Sequence, residues 1–431
     1  MNILIRRLLG ARRLALAVAL AALLLAGAEA SAQCPPDVVT AGLQLPLGIT
    51  QSNQGNLLVS ETGTPAPNTG RVSIVGLDGT RRTLLDGLPS GINDIGDVSG
   101  PTGIFMRGRT LYVLIGQGDS TIPGGFPGPP TELPNPNPSS PIFSSVLAVH
   151  LSAKAEKTTD GFTLTFADQQ ALAAGQKVTL FSGSGDRATV ELVVNFPDFT
   201  PEPLPFFPAN VRHSNPYDLV VVGDQVYVTD GGQNSVWQAD IPTGTFSTLA
   251  TFAPIPNPLF NPMPPPPGVG GPVIEAVPTG ISYADGQLLV TLFRGFPFVP
   301  GTSVVEQVDP LTGAHAPLIT GRTAAIDVLA LESGGDTDYL VLQFASGPFL
   351  SGPGLLLRFE SPSDPPTVIA NCLITPSSMT LDEKTGTLYI TELGTGRVVA
   401  ISLGPNPAPK AKAKAGAKTL ARKQLPVGLE K

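Results

Sequence analysis

The chain has little of what most catalytic motifs are built from. Its 431 residues hold three histidines, two cysteines, four methionines and one tryptophan. His150, His213 and His315 are too scattered for a zinc motif, and neither H-E-x-x-H nor C-x-x-C occurs. A G-x-S-x-G elbow is also missing, and Ser182-Gly183-Ser184-Gly185 reads as a turn rather than a nucleophile or phosphate loop. Basic residues are scarce in the body of the chain. Setting aside Arg6, Arg7, Arg12, Arg13 and Glu29 near the start, and seven basic residues and Glu430 near the end, leaves 15 basic against 32 acidic side chains. A body so acidic, without a basic stripe, excludes nucleic acid as partner, because phosphate binding needs Lys and Arg to displace counterions. It suits solubility or the attraction of cations. Helices have little room among 48 glycines and 46 prolines, and only the stretch from Asp168 to Ala174 shows a helical period.

The two ends differ from the body. Four arginines, an apolar run from Leu14 to Ala26 and the triplet Ala30-Ser31-Ala32 have the order of a secretory signal peptide, with cleavage expected after Ala32. Gln33 before Cys34 does not fit a lipobox, and the surroundings of Arg6-Arg7 lack the rest of a twin-arginine consensus. No second apolar run of membrane-spanning length follows, so a soluble periplasmic or extracellular protein without a transmembrane segment is expected. From Pro405 to Lys431 the chain is rich in Lys, Ala and Pro, a composition that cannot bury a core and reads as a disordered basic tail able to contact an anionic surface.

Between these ends one sequence unit recurs six times. Each copy has a short turn and an apolar strand, then a strand of Val, Leu, Ile and Tyr, then a third. The starts are Pro46-Leu47-Gly48-Ile49, Pro101-Thr102-Gly103-Ile104, Pro216-Tyr217-Asp218-Leu219, Pro278-Thr279-Gly280-Ile281, Ala325-Ile326-Asp327-Val328 and Pro376-Ser377-Ser378-Met379. Second strands end as Ser60-Glu61, Thr229-Asp230 and Thr391-Glu392 in three of the copies. Turns such as Asp78-Gly79 and Asp285-Gly286 supply hairpin chemistry. Short strands repeating about every forty residues are the signature of a propeller, in which each sheet buries its faces against the next. The expected fold is all-β, a six-bladed β-propeller over 33–404. A propeller must close, and Asp37-Val38-Val39-Thr40 is placed to supply the outer strand of the sixth blade. In an oxidising compartment Cys34 and Cys372, the latter read as part of the last repeat, are expected to form a disulfide that clasps this closure.

Three segments depart from the repeat: the Pro/Gly-rich loops Pro123 to Pro141 and Phe252 to Pro272, and an insertion from Ser152 to Arg212. Long loops in a compact domain are functional or disordered. Apolar residues such as Phe126, Leu259, Phe260 and Met263 favour packing of these loops over a propeller face.

Several motifs carry a family resemblance. Ser214-Asn215-Pro216-Tyr217-Asp218 with Thr229-Asp230-Gly231-Gly232-Gln233-Asn234, Ala276-Val277-Pro278-Thr279-Gly280-Ile281, Phe293-Arg294-Gly295-Phe296-Pro297-Phe298, Ile115-Gly116-Gln117-Gly118 and Phe344-Ala345-Ser346-Gly347 together resemble the ScyD/ScyE family. The resemblance spans roughly Ala41 to Leu403. It implies a secreted bacterial six-bladed propeller, similar in plan to NHL and SMP-30-like propellers, and implies little about activity.

Propeller function usually sits where inner strands begin and second strands end. Mapping the repeats there selects Glu61, Asn215, Asp218, Asp230, Asp327, Gln343 and Glu392 as ligand or metal candidates at the channel mouth. Oxygen-rich sets of this kind hold calcium or another hard divalent cation. The alternative role of such carboxylates is to cap strand ends and bind backbone amides. Two functions from different classes follow. One is a scaffold binding a small molecule, glycan or protein on one face. The other is a metal-dependent hydrolase or lactonase of SMP-30-like type, whose cation polarises a carbonyl. His213, just before Ser214-Asn215, lies on the same expected face, and Phe296 and Phe298 are candidates to line a groove there.

Overall fold

The computed structural model describes residues 32–125, 131–158, 160–262, 268–333 and 336–404. Most of the proposed leader and the whole basic tail lie outside the described residues, as do Phe126 and Met263.

Second strands are buried on both faces: Leu57–Glu61 throughout, and Gln225–Asp230, Gln287–Leu292 and Thr387–Glu392 after their first residue. Only apolar or internally satisfied residues fit such strands, which is why they read as continuous Val/Leu/Ile/Tyr runs. Outer strands such as Phe246–Thr251 and His315–Arg322 bury one residue each and carry no such run.

These strands form six sheets, each built on four antiparallel strands, arranged as a six-bladed β-propeller. From the axis outward, blade 1 is Pro46–Gln51, Leu57–Glu61, Gly70–Val75 and Arg81–Leu88. Blade 2 is Pro101–Arg107, Thr110–Ile115, Ser145–Leu151 and Arg187–Asn195, with Val178–Phe181 as a fifth strand. Blade 3 is Pro216–Val222, Gln225–Asp230, Ser235–Asp240 and Phe246–Thr251. Blade 4 is Pro278–Ala284, Gln287–Leu292, Ser303–Val308 and His315–Arg322. Blade 5 is Ala325–Ser333, Asp336–Gln343, Gly354–Phe359 and Thr367–Leu373. Blade 6 is Pro376–Asp382, Thr387–Glu392, Arg397–Ser402 and, from the other end of the chain, Asp37–Ala41.

There is no single core. Apolar side chains gather in six clusters, each between two neighbouring blades, with the last joining Leu57 and Val59 of blade 1 to Tyr389 and Val398 of blade 6. Hydroxyls stitch the same joints near the axis. Ser60 donates to the Thr102 carbonyl and Thr229 to that of Thr279, Thr291 donates to Ile326 O at 3.2 Å, and Thr391 to Leu47 O at 3.0 Å. Each is a second-strand side chain reaching the innermost strand of the next blade.

Asp37–Ala41 supplies the outer strand of blade 6 as expected, with Asp37 opposite Ala400 and Ala41 opposite Arg397. Cys34 and Cys372 are disulfide-bonded, their Cα atoms 6.1 Å apart. Cys372 belongs to the outer strand of blade 5 rather than to the sixth repeat, so the bond fastens the closing segment to the neighbouring blade. The insertion also divides. Arg187–Asn195 is the outer strand of blade 2, while Phe162–Thr163 pairs in parallel with the outer strand of blade 1. Between them lies the helix Phe166–Ala173, capped by Thr165 and Asp168 in a reciprocal capping box. No described helix is long and apolar enough to cross a membrane.

Candidate functional site

The two ends of the ring differ. Inner hairpins such as Arg107 to Thr110, Val222 to Gln225 and Ala284 to Gln287 turn tightly at one end. At the other end lie the links between blades and the longer connections from second to third strands, including the described parts 116–125 and 131–144, and 293–302 and 344–353. This loop face also carries three small hairpins: Gly91–Ile92 with Val98–Ser99, Thr121–Pro123 with Glu132–Pro134, and Phe199–Pro201 with Val211–His213.

Glu61, Asp230, Gln343 and Glu392 occupy one repeat position, the last residue of a second strand. Each is bound within its own blade. Glu61 accepts from Gln44 N and Ser73 Oγ at 2.5 Å and from Arg71 Nη2 at 2.9 Å. Glu392 accepts from Ile374 N at 2.7 Å and from Arg397 Nε. Asp230 holds Asn215 N at 2.8 Å, Gln233 N at 3.0 Å and the Trp237 indole N–H at 3.0 Å. Gln343 accepts from Thr323 N at 3.2 Å. The shared partner is a backbone amide one or two residues before the inner strand, so this position anchors the entry to each blade. Asn215 enters the arrangement through its backbone.

Asp218 and Asp327 form a second group, each at the third residue of an inner strand, where the other blades have Gly48, Gly103, Gly280 and Ser378. Asp218 accepts from Leu219 N at 2.8 Å and from Ile281 N of the next blade at 3.2 Å. Asp327 repeats this with Val328 N at 2.7 Å and Met379 N at 2.8 Å. The neighbouring glycines are obligatory: a Cβ on Gly103 would sit 2.7 Å from Asp218 Cα, and one on Gly280 2.6 Å from Asp327 Cα. Burial pushes the Asp327 carboxyl up to about 7, against the backbone amides that favour its charge. Asp218 is raised well above the carboxylate range by burial and by the charge of Asp327.

Tyr217 crosses the axis above this pair. Its hydroxyl donates to Ser377 O at 2.9 Å, linking blade 3 to blade 6 on the opposite side of the ring. Burial, then Asp327 and Asp218, raise its phenol well above the usual range. A cavity of about 480 Å³ has Asp218 and Asp327 among its walls and continues along the inner strands to Gly223. Asp218 and Asp327 line this cavity, whereas Glu61, Asp230, Gln343 and Glu392 lie at the loop-face ends of the second strands.

Two further groupings stand on the loop face. Asp94, Glu132 and His213 come from its three small hairpins, with donor atoms all within 4.8 Å of one another. His213 Nδ1 lies 2.9 and 2.8 Å from the Glu132 oxygens and 4.0 Å from Asp94 Oδ1. Burial works against charge on His213, but Glu132, Asp94 and Asp230 outweigh it and raise the imidazole. The second grouping is aromatic. Phe293 meets Phe298 and Phe344 edge-on at centroid distances of 6.0 and 5.9 Å. Phe296 lies 6.0 Å from Phe298 and 6.3 Å from Phe349. Phe296 and Phe349 are each 54% exposed, enough to present a ring face to solvent. Phe298 and Phe349 hold φ of 56° and 54°, a region that bulky side chains seldom adopt. Gly270, from the loop that also exposes Leu259 and Phe260, abuts Phe296 and Pro297.

Sequence reading placed the seven candidates in one set, and the structure separates them. Neither Asp94 nor Glu132 belongs to a repeat, so periodicity could not select them. His213 was the one signal, through its place before Ser214-Asn215. Phe349 had no sequence signal, and the cross-channel role of Tyr217 had none beyond its motif.

No protein-family model and no curated protein matches this chain, so the ScyD/ScyE likeness rests on the quoted motifs alone. Solved propellers do match. A PQQ-bound aldose sugar dehydrogenase from Streptomyces coelicolor shares 13% identity at a TM-score of 0.44, covering 85% of this chain and 96% of its own. A gluconolactonase from Xanthomonas campestris shares 12% at 0.45, covering 86% and 96%. A chain of a nidogen–laminin complex shares 10% at 0.37, covering 81% and 94%.

Proposed function

We propose that this is an exported, periplasmic or extracellular propeller of the ScyD/ScyE type that works as a binding scaffold, holding a small molecule, glycan or protein on its loop face. In this reading the leader 1–32 directs export, 33–404 is the propeller and the tail 405–431 rests on an anionic surface. The observation that carries it is the aromatic shelf. The two motif segments around Phe296 and Phe344 converge there, leave Phe296 and Phe349 facing solvent, and hold bulky residues at positive φ. Strained backbone that presents apolar rings to water costs stability and persists where binding recovers it. A ligand with a flat apolar face, such as a pyranose ring or an aromatic ring, is the chemistry such a shelf accepts.

The metal-dependent hydrolase alternative draws less support from the channel. Both oxygens of Asp218 and of Asp327 already accept backbone N–H groups.

Saturation-transfer NMR against a panel of neutral oligosaccharides and aromatic acids tests the proposal. Hits should vanish in Phe296→Ser/Phe349→Ser while the melting temperature is kept. Hits of undiminished strength in that variant, or hits lost only in Asp218→Asn, would remove the shelf as the site.

A further inference from the structure

We infer that Asp94, Glu132 and His213 form a binding site for one divalent transition-metal ion of the zinc or manganese class. The site lies apart from the shelf and does not depend on the reading above.

The donors are set by backbone rather than by long free side chains. Asp94 sits in the turn of the 91–99 hairpin, where Asn93 Oδ1 accepts from Asp97 N at 2.8 Å. Glu132 starts a strand whose first amide donates to Asn210 Oδ1 at 2.9 Å. His213 ends a strand and packs over Gly232, where a Cβ would come within 2.8 Å of the imidazole Cδ2. Gln233 Nε2 holds the His213 carbonyl at 2.9 Å.

A separate observation points to a cation ligand. The Asp94 side chain is 6% exposed. Its Oδ1 accepts from Gln117 Nε2 at 2.7 Å, while its Oδ2 accepts no hydrogen bond among the described residues. No Lys or Arg among the described residues pairs with Asp94 or Glu132, and His213 is their sole cationic neighbour. Two carboxylates so enclosed hold more negative charge than one imidazole can balance, and a bound divalent ion balances it.

The donor set selects the ion. One imidazole nitrogen with two carboxylates suits zinc or manganese, whereas calcium takes six to eight oxygens. Three protein ligands leave positions open for water or a ligand oxygen. A metal at His213 Nδ1 takes that nitrogen's lone pair, so metal and proton compete for the same atom.

The test uses the chain stripped with EDTA and titrated with ZnCl2 or MnCl2. Calorimetry should show one equivalent bound, with affinity at least about 100-fold weaker in Asp94→Asn and in His213→Gln. Asp218→Asn should bind like the parent. Because the protein has only three histidines, imidazole proton NMR gives a second measure in the unsubstituted chain. One resonance, absent in His213→Gln, should shift with zinc and broaden with manganese, leaving those of His150 and His315 unmoved. No binding at millimolar metal, unchanged affinity in both variants, or a response at His150 or His315 alone would overturn the assignment.

Discussion

Asp198 offers a quantitative test of the loop-face electrostatics. It lies between the outer strand of blade 2 and the 199–213 hairpin, and its Oδ1 is buried without a hydrogen-bond partner. The nearby Ser144 hydroxyl, itself unpartnered, lowers the carboxyl only weakly against the cost of burial, and the group is pushed up from 3.8 to about 6. Below pH ~4 the carboxyl is protonated both folded and unfolded, so it adds no pH dependence. Between about 4 and 6 the unfolded chain ionises while the folded one keeps its proton, and stability falls as pH rises, by up to about 1.4 kcal/mol per unit. Above about 6 both forms are ionised and a penalty of about 3 kcal/mol remains. Asp198→Asn is neutral and nearly isosteric. It should match the parent near pH 4 and exceed it by about 3 kcal/mol at pH 8, visible as a melting temperature higher by several degrees. Comparing urea or thermal unfolding of the two proteins across pH 4–8 isolates this group, since every other titration is common to both. A difference that stays constant across the range would refute the argument.

Other outcomes follow from the ring itself. Cys34→Ser/Cys372→Ser should lose about 2 to 4 kcal/mol, and the parent should show the same loss in reductant, because the disulfide ties the closing strand across 338 residues of sequence. Gly103→Ala should destabilise by more than about 2 kcal/mol in denaturant melts, and Asp218→Gly should not rescue it, because the added Cβ meets the backbone at Asp218 Cα and Leu219 N. Thr391→Val should cost about 1 to 3 kcal/mol, since it leaves Leu47 O without its donor across the last joint, and hydrogen exchange should quicken at blades 6 and 1 before the others. Equal protection changes in all six blades would contradict that stitching.

Part of this molecule was legible without coordinates. Strands buried on both faces admit only apolar residues or polar ones with built-in partners, so the first, second and third strands announced themselves in every copy and their count set the number of blades. The closing strand and the disulfide could be read because a ring needs its ends joined. Outer strands such as Phe246–Thr251 and Arg187–Asn195 could not, because a half-solvated strand tolerates almost any residue. That is why blade 2's fourth strand was hidden within an apparent insertion, and why Cys372 was assigned to the wrong side of a blade boundary.

The sites divide along the same line. Repetition pointed to Glu61, Asp218, Asp230, Asp327, Gln343 and Glu392 because each recurs at a fixed place in the repeat. A fixed place in a repeat also means a fixed backbone neighbour, and the amides that hold these side chains are visible only once the blades are stacked. Asp94, Glu132 and His213 sit in small hairpins outside the repeat, and Phe296 and Phe349 in connections with no period, all far apart in sequence. The sequence by itself determined the strands, their number and the closure of the ring, since those rest on local burial and chain connectivity. Only the tertiary structure decided which polar groups are already satisfied and which face open space, because that depends on packing between blades that no single repeat contains.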